Sequence, residues 1–108
     1  MALPEITHLQ FLVLGILLGG SRMGRDVREQ LGQFGVRKSG PGFYQMMGRL
    51  EDGGFVTGSY EQEVIDGQRI NQRRYEVTSQ GQAAWRASRD FYEESIRLLD
   101  GGLGPVGA

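Results

Sequence analysis

Residues 39–54 read Ser-Gly-Pro-Gly-Phe-Tyr-Gln-Met-Met-Gly-Arg-Leu-Glu-Asp-Gly-Gly. Ser39 offers a side-chain oxygen as an N-cap, and Pro41 falls near the first turn, where its missing N–H costs nothing. Phe43, Met46, Met47 and Leu50 recur at helical spacing and mark an inward face, leaving Tyr44, Gln45, Gly48 and Arg49 outside. Gly53 and Gly54 stop the pattern. The stretch predicts one amphipathic helix with a short apolar stripe and a polar, cationic opposite face.

The pattern before this helix predicts two more. Ile6, Leu9, Leu12, Val13, Ile16 and Leu17 follow helical spacing while Phe11, Leu14 and Leu18 fill the other sides, so the first helix is apolar nearly all round and must be covered from more than one direction. Gly19 and Gly20 end it. A second, shorter helix carries Met23, Val27 and Leu31 on one face before Gly32 and Gly35 interrupt it.

After the third helix, 55–65 and 68–77 read as two strands around Asp66-Gly67, a dipeptide suited to a type I′ hairpin turn. That turn pairs Ile65 with Gln68, which places Val56 opposite Val77 and Tyr60 opposite Arg73 and gives the hairpin an apolar base and a polar tip. Thr78 or Ser79 caps a last helix that runs to about Leu99, and Ser79 with Gln82 fits a capping box. Ala84, Ala87, Phe91 and Leu98 lie beside Trp85, Tyr92, Ile96 and Leu99, a wider apolar face than a lone helix needs against one small domain, and the excess predicts a partner. From Gly101 onward little remains to bury, and a disordered tail is expected. The order predicts a mainly α fold with a two-stranded β-hairpin wing: a winged helix-turn-helix over 1–78, a long helix over 79–100 and a tail over 101–108.

A chain of 108 residues provides one modest core and leaves no room for a second, catalytic domain. There is no cysteine, and His8 is the single histidine, which removes disulfides, thiolate sites and any histidine cluster for a metal; no cofactor is expected. The apolar run from Leu9 to Leu18 is about half of what a bilayer crossing requires, and no basic segment precedes it, so a cytoplasmic protein without a membrane partner is expected. No Ser/His/acid set or phosphate loop appears, and neither Gly53-Gly54 nor Gly101-Gly102 has the strand-to-helix setting of a nucleotide fingerprint, so an enzyme is not expected. Net charge is −1, yet between Gly20 and Leu50 Arg22, Arg25, Arg28, Arg37, Lys38 and Arg49 face only Asp26 and Glu29. A local charge of +4 on an acidic remainder is the pattern of a molecule that meets phosphate with one face.

With the elements placed, the sequence resembles the PadR family of bacterial transcriptional regulators over roughly residues 6–99. "HLQFLVLGILLGG" is similar to that family's first helix, and Gly24 falls where the family has the glycine of an "HGY" turn. "SGPGFYQMMGRLEDGGFV" and "RRYEVTSQG" are similar to its third-helix and hairpin-to-helix stretches. Arg25 stands where the family has tyrosine, Gly40-Pro41-Gly42 rearranges its usual residues, and a single carboxy-terminal helix matches the short-tailed members. The resemblance implies a homodimer in which the last helix packs on the first helix and on its own counterpart, through Leu9, Leu12, Val13 and Ile16 with Trp85, Phe91, Tyr92, Ile96 and Leu99. Some members sense drugs or phenols between the subunits, which implies a planar aromatic effector at Trp85 and Tyr92; the competing reading is plain core packing.

The expected partner is double-stranded DNA, bound by a dimer on a palindromic operator through two third helices. Arg37 and Lys38 lead into the helix as backbone anchors. The amino-terminal N–H groups of Ser39 to Phe43 are suited to a phosphate, with Gly40 and Gly42 either permitting its approach or only shaping the turn. Tyr44 either donates to a phosphate or covers the core. Gln45 and Arg49 suit adenine and guanine edges, Arg49 alternatively a phosphate or a nearby acid. Arg69 near the wing tip and Arg73 farther down are wing contacts, whereas Arg74 lies diagonal to Glu61 at ion-pair distance. His8 caps or packs near the first helix. The competing class is a winged-helix protein-interaction module.

Overall fold

In the computed structural model, which describes residues 2–103 (for Leu103 the backbone alone), helix α1 (His8–Leu17) begins at Thr7. The Thr7 hydroxyl accepts from the Gln10 amide at 3.1 Å and the Gln10 side chain accepts from the Thr7 amide at 3.0 Å, a capping box. Strand β1 (Arg22–Met23) leads directly into α2 (Gly24–Gln33), so Met23, expected on the helix face, is instead the extended residue before it; its side chain is buried all the same. Helix α3 (Gly40–Asp52) follows, then the hairpin of β2 (Val56–Ile65) and β3 (Gln68–Val77), then α4 (Ser79–Leu103).

The two helices of the helix-turn-helix end alike. Gly35 and Gly54 adopt φ of 78° and 80°, letting Val36 N–H reach Leu31 C=O and Phe55 N–H reach Leu50 C=O, the long bond of a Schellman turn. Val13, Leu14 and Leu17 of α1, Val27 and Leu31 of α2, and Phe43, Met46, Met47 and Leu50 of α3 close one core, to which the hairpin base adds Val56 and Tyr75 and α4 adds Ala84. The predicted inward face of α3 is buried throughout.

The hairpin pairs as its turn requires: Ile65 opposite Gln68, Tyr60 opposite Arg73 and Val56 opposite Val77. Asp66 and Gly67 have φ of 51° and 79°, both positive as type I′ demands. The sheet is nevertheless wider than the predicted two strands. Arg22 pairs with Tyr75 and Met23 with Arg74, giving an antiparallel sheet of order β1-β3-β2. A two-residue strand carries no readable alternation, and it forms here because the outer edge of β3 lies beside the entry to α2.

Helix α4 takes the first of its two expected caps and departs from expectation at its far end. Its cap is Thr78, not a Ser79–Gln82 box: the Thr78 hydroxyl accepts from Gly81 N–H at 3.0 Å and donates to Gly54 C=O at 2.6 Å. The helix continues beyond Leu99 through Gly101 and Gly102 to Leu103, residues expected in the tail; the rest of that tail, 104–108, lies outside the described residues. Ala87, placed on an apolar stripe, is exposed, and Ser88 is buried beside it, its hydroxyl donating to Ala84 C=O at 3.0 Å. The molecule measures 62 × 31 × 22 Å, and among the described residues no helix is long and apolar enough to cross a membrane.

Candidate nucleic-acid interface

The turn between α2 and α3 concentrates positive charge. Arg25, Arg28, Arg37 and Lys38 line a concavity of about 370 Å³ with Glu29 as its acid and Gly32 and Val36 as its floor. Arg28 shapes it: its guanidinium donates through Nε and Nη2 to Lys38 C=O, at 3.3 and 2.9 Å, and so fixes the segment that enters α3. Arg37 and Lys38 are exposed, and their side chains have no hydrogen-bond or ion-pair partner among the described residues. Arg25 and Arg28 were not among the expected contacts, although their spacing with Gly32 on one face of α2 was readable. Arg22 leaves the basic set, since its Nε donates to Ile16 C=O at 3.3 Å and serves the end of α1.

At the start of α3 the Ser39 hydroxyl accepts from Gly42 N–H at 3.1 Å, Pro41 has no N–H, and Phe43 N–H is bonded to Ser39 C=O. Of the four orphan donors that a helix start normally presents, here Ser39 to Gly42, Pro41 has none and Gly42 is capped, so the N–H groups of Ser39 and Gly40 have no partner among the described residues. The broad phosphate cradle expected over Ser39 to Phe43 therefore narrows to the N–H groups of Ser39 and Gly40 and the hydroxyl proton of Ser39. A Cβ on Gly42 would sit 3.0 Å from the Ser39 oxygen, so Gly42 serves the turn.

The outer surface of α3 has two flanks. Gln45 and Arg49, both exposed, share a cleft of about 350 Å³ with Lys38, Gly42 and the Thr7–Gln10 end of α1. Leu9, expected in a subunit interface, lines this cleft. The Arg49 side chain has no intramolecular partner among the described residues, so the alternative in which it pairs with a nearby acid is not what the fold contains. Tyr44 and Glu51, two turns apart, face the wing. Tyr44 stands edge-on to Phe43 at 5.0 Å, and a Cβ on Gly24 would lie 3.0 Å from its hydroxyl, so its ring covers the junction of α2 and α3.

On the wing, Arg69 is exposed near the tip. Arg73 is not free for an external contact: its guanidinium is ion-paired with Glu51 at the end of α3 and lies 4.6 Å from the centroid of the Tyr60 ring. The correction follows from register. Residue 73 shares a face of the hairpin with Tyr75, and that face turns toward α3 rather than outward. Arg74 meets Glu61 at 3.0 Å, as expected from their diagonal placement, and Arg25 meets Glu63 at 2.6 Å.

The surfaces expected between subunits divide likewise. Val13 is wholly buried in its own core and presents nothing to a partner, whereas Leu12, Ile16, Trp85, Phe91 and Tyr92 are half-buried, and Ile96 and Leu99 are 58% and 71% exposed. Trp85 stacks on Phe11 at 5.5 Å and 8°, Tyr92 meets Phe11 edge-on at 5.4 Å, and the Tyr92 hydroxyl bonds His8 Nδ1 at 2.8 Å. Trp85 and Tyr92 thus lie around Phe11 and open into different clefts, Trp85 with Leu12, Ile16 and Phe34, Tyr92 with Leu3, His8 and Phe91. They do not form one pocket within a subunit. Among the described residues no group of three or more His, Asp or Glu side chains could hold a metal ion.

Three packed helices, a sheet-borne hairpin and a basic turn before the third helix define a winged helix-turn-helix protein. No family model and no curated protein sequence matches the chain, but solved structures do. A PadR-family transcription regulator from Clostridium difficile R20291 superposes with a TM-score of 0.76 at 17% identity, covering 91% of this chain and all of that one. A PadR-like regulator from Bacillus cereus gives 0.73 at 14% identity over 90% and 92% of the two chains. Bacillus subtilis PadR, solved in complex with operator DNA, gives 0.61 at 26% identity over 75% of this chain and 47% of its own. The fold is that of PadR-like winged-helix transcriptional regulators.

Proposed function

We propose that the chain is a DNA-binding transcriptional regulator that acts as a homodimer and represses from a two-fold symmetric operator. The observation that carries this reading is the cluster of Arg28, Arg37 and Lys38, with Arg25 held beside them by Glu63, at the entrance to a helix whose outer flank exposes Gln45 and Arg49. Cations at the turn suit phosphates on either side of a major groove, and the two side chains on α3 suit purine edges within it. That the Bacillus subtilis relative was solved on its operator supports the same assignment. One arginine and no lysine on the outer flank of α3 make a weak single half-site, so two copies are needed for tight binding. Ile96, Leu98 and Leu99 on the uncovered end of α4, continuous with Phe91 and Tyr92, supply the apolar surface for a second copy.

Fluorescence anisotropy with DNA from the protein's own promoter, at low and at physiological salt, tests the first half. Binding that weakens steeply with salt and is abolished by Q45E/R49E is expected; no binding at low salt overturns it and favours the protein-interaction module. Light scattering tests the second half, with about twice the 12.0 kDa chain mass expected for the parent. A lower mass is expected for I96E/L99E, and a monomeric parent overturns the dimer.

A further inference from the structure

Glu51 occupies the last turn of α3, where the carbonyl end of the helix dipole disfavours an acid. Its carboxylate is nevertheless half-buried and bonded to the Arg73 guanidinium of β3. Two further features are arranged around this pair. Tyr60, directly opposite Arg73 in the ladder, lays its ring against the guanidinium, and Tyr75 lies behind it at 5.8 Å. Gly58 sits inside β2, where a residue without a side chain weakens a strand. A Cβ there would collide with both the Glu51 carboxylate and the Arg73 guanidinium. The strand gives up a side chain at the one place where the ion pair crosses it.

Little else holds the hairpin beyond its base, where β1 pairs with Tyr75 and Arg74 and the Arg74 guanidinium donates to Ser21 C=O and Oγ at 3.4 and 3.3 Å. Residues 59–74 contribute no member of the buried core. Among the described residues, their side-chain bonds to helices are Arg73 to Glu51 and Glu63 to Arg25. A ten-residue two-stranded ribbon without a packed face bends readily about its base. The pair also lies on the wing-facing flank of α3, opposite the flank that carries Gln45 and Arg49.

We propose that Glu51 and Arg73 are positioning residues that set the angle of the wing to α3, so that hairpin and helix meet one duplex together; the DNA part of this inference rests on the function proposed above. Glu51 acts from the helix, Arg73 from the strand, Tyr60 keeps the guanidinium in line, and Gly58 clears the space. Neither charge is spent on the ligand, which is why Arg73 is a strut and not a DNA contact.

The chain has no cysteine, so a pair introduced at Asp52 and Gln68, both exposed, takes spin labels at unique sites. Pulsed electron resonance without DNA then reads the helix-to-wing distance in the parent, E51A, R73Q and the exchanged pair E51R/R73E, with circular dichroism confirming that each is folded. A broadened or displaced distance is expected for the single variants, and a return toward the parent for the exchange. An unchanged distribution in both E51A and R73Q overturns the strut. Anisotropy is expected to show about tenfold weaker DNA binding for E51A, partly restored by the exchange. A changed distance with unchanged affinity overturns the link to DNA, whereas a changed distance in a protein that binds no DNA in any form leaves the strut standing and removes the proposed function.

Discussion

Arg25, in the first turn of α2, reaches across 38 residues of sequence to Glu63 of β2, Nη2 to Oε1 at 2.6 Å. The same arginine lines the basic concavity at the helix-turn-helix. The other oxygen of Glu63 is buried without a partner among the described residues, so the carboxylate is only half compensated. An acid of the wing thereby holds a cation that a phosphate would otherwise take.

Replacing that acid should strengthen DNA binding. In E63Q the amide oxygen keeps a hydrogen bond to Arg25 while the nearer competing charge is gone and only Asp26, 3.8 Å from Nε, remains, leaving the guanidinium to pair with a phosphate. The affinity at low salt is expected to rise severalfold, and the slope of log K against log salt to steepen by about 0.9, the value of one added phosphate contact. Anisotropy titrations at four or five salt concentrations decide it, and an unchanged slope shows that Arg25 stays off the DNA.

Cations in the turn and side chains on α3 should fail in different ways. Lys38 is exposed and unpaired among the described residues, with only phosphates in reach of its role; K38A is expected to weaken all duplexes alike and to flatten the salt slope by about one contact. R49A should instead lose about 1–3 kcal/mol on the preferred site and far less on unrelated DNA. Parallel measurements on selected and scrambled duplexes separate the two, and equal losses on both for R49A would assign it to the backbone.

Local signals account for what was readable. Asp66-Gly67 set the hairpin register to the residue, since a two-residue turn leaves no freedom in the pairing, and Ser39 with the apolar spacing to Leu50 bounded α3. Arg73 was assigned to DNA because its partner Glu51 lies 22 residues away on another element, and nothing near either residue marks the other. Gly58 was the one trace of that pair. The strand at Arg22–Met23 is too short for a period, and the choice of Thr78 over Ser79 as cap depended on Gly54 C=O arriving from the end of α3. Val13 was placed in a subunit interface because a helix apolar all round does not say which of its sides the chain's own core takes.

The junction at Thr78 is where α3 meets α4. Its hydroxyl accepts from Gly81 N–H, donates to Gly54 C=O, and its amide donates to Phe55 C=O at 3.0 Å, while Gln80 Nε2 donates to Gly53 C=O at 2.9 Å. T78V keeps the shape and removes both hydroxyl bonds, orphaning a donor and an acceptor in a half-buried place. A loss of about 1–3 kcal/mol is expected in urea unfolding, against less than about 0.5 for S79A, whose hydroxyl caps nothing. Equal effects would return the cap to Ser79.

Alkaline pH should find the Tyr75 phenol. Burial against the core pushes its pKa above the ordinary 10.0, with Arg73 pulling the other way and Glu51 adding to the rise. The folded chain therefore holds this proton more tightly than the unfolded one. The resulting stability is complete below pH 10, where both states are protonated, and is lost as pH climbs from 10 through the folded pKa, at about 1.4 kcal/mol for each unit between the two values. Y75F retains the buried ring without the titrating group. The urea midpoints of parent and Y75F should run parallel from pH 7 to 9, and above pH 10 the parent should fall faster. Midpoints that stay parallel to pH 11 would mean that the phenol ionises as easily in the fold as in the unfolded chain.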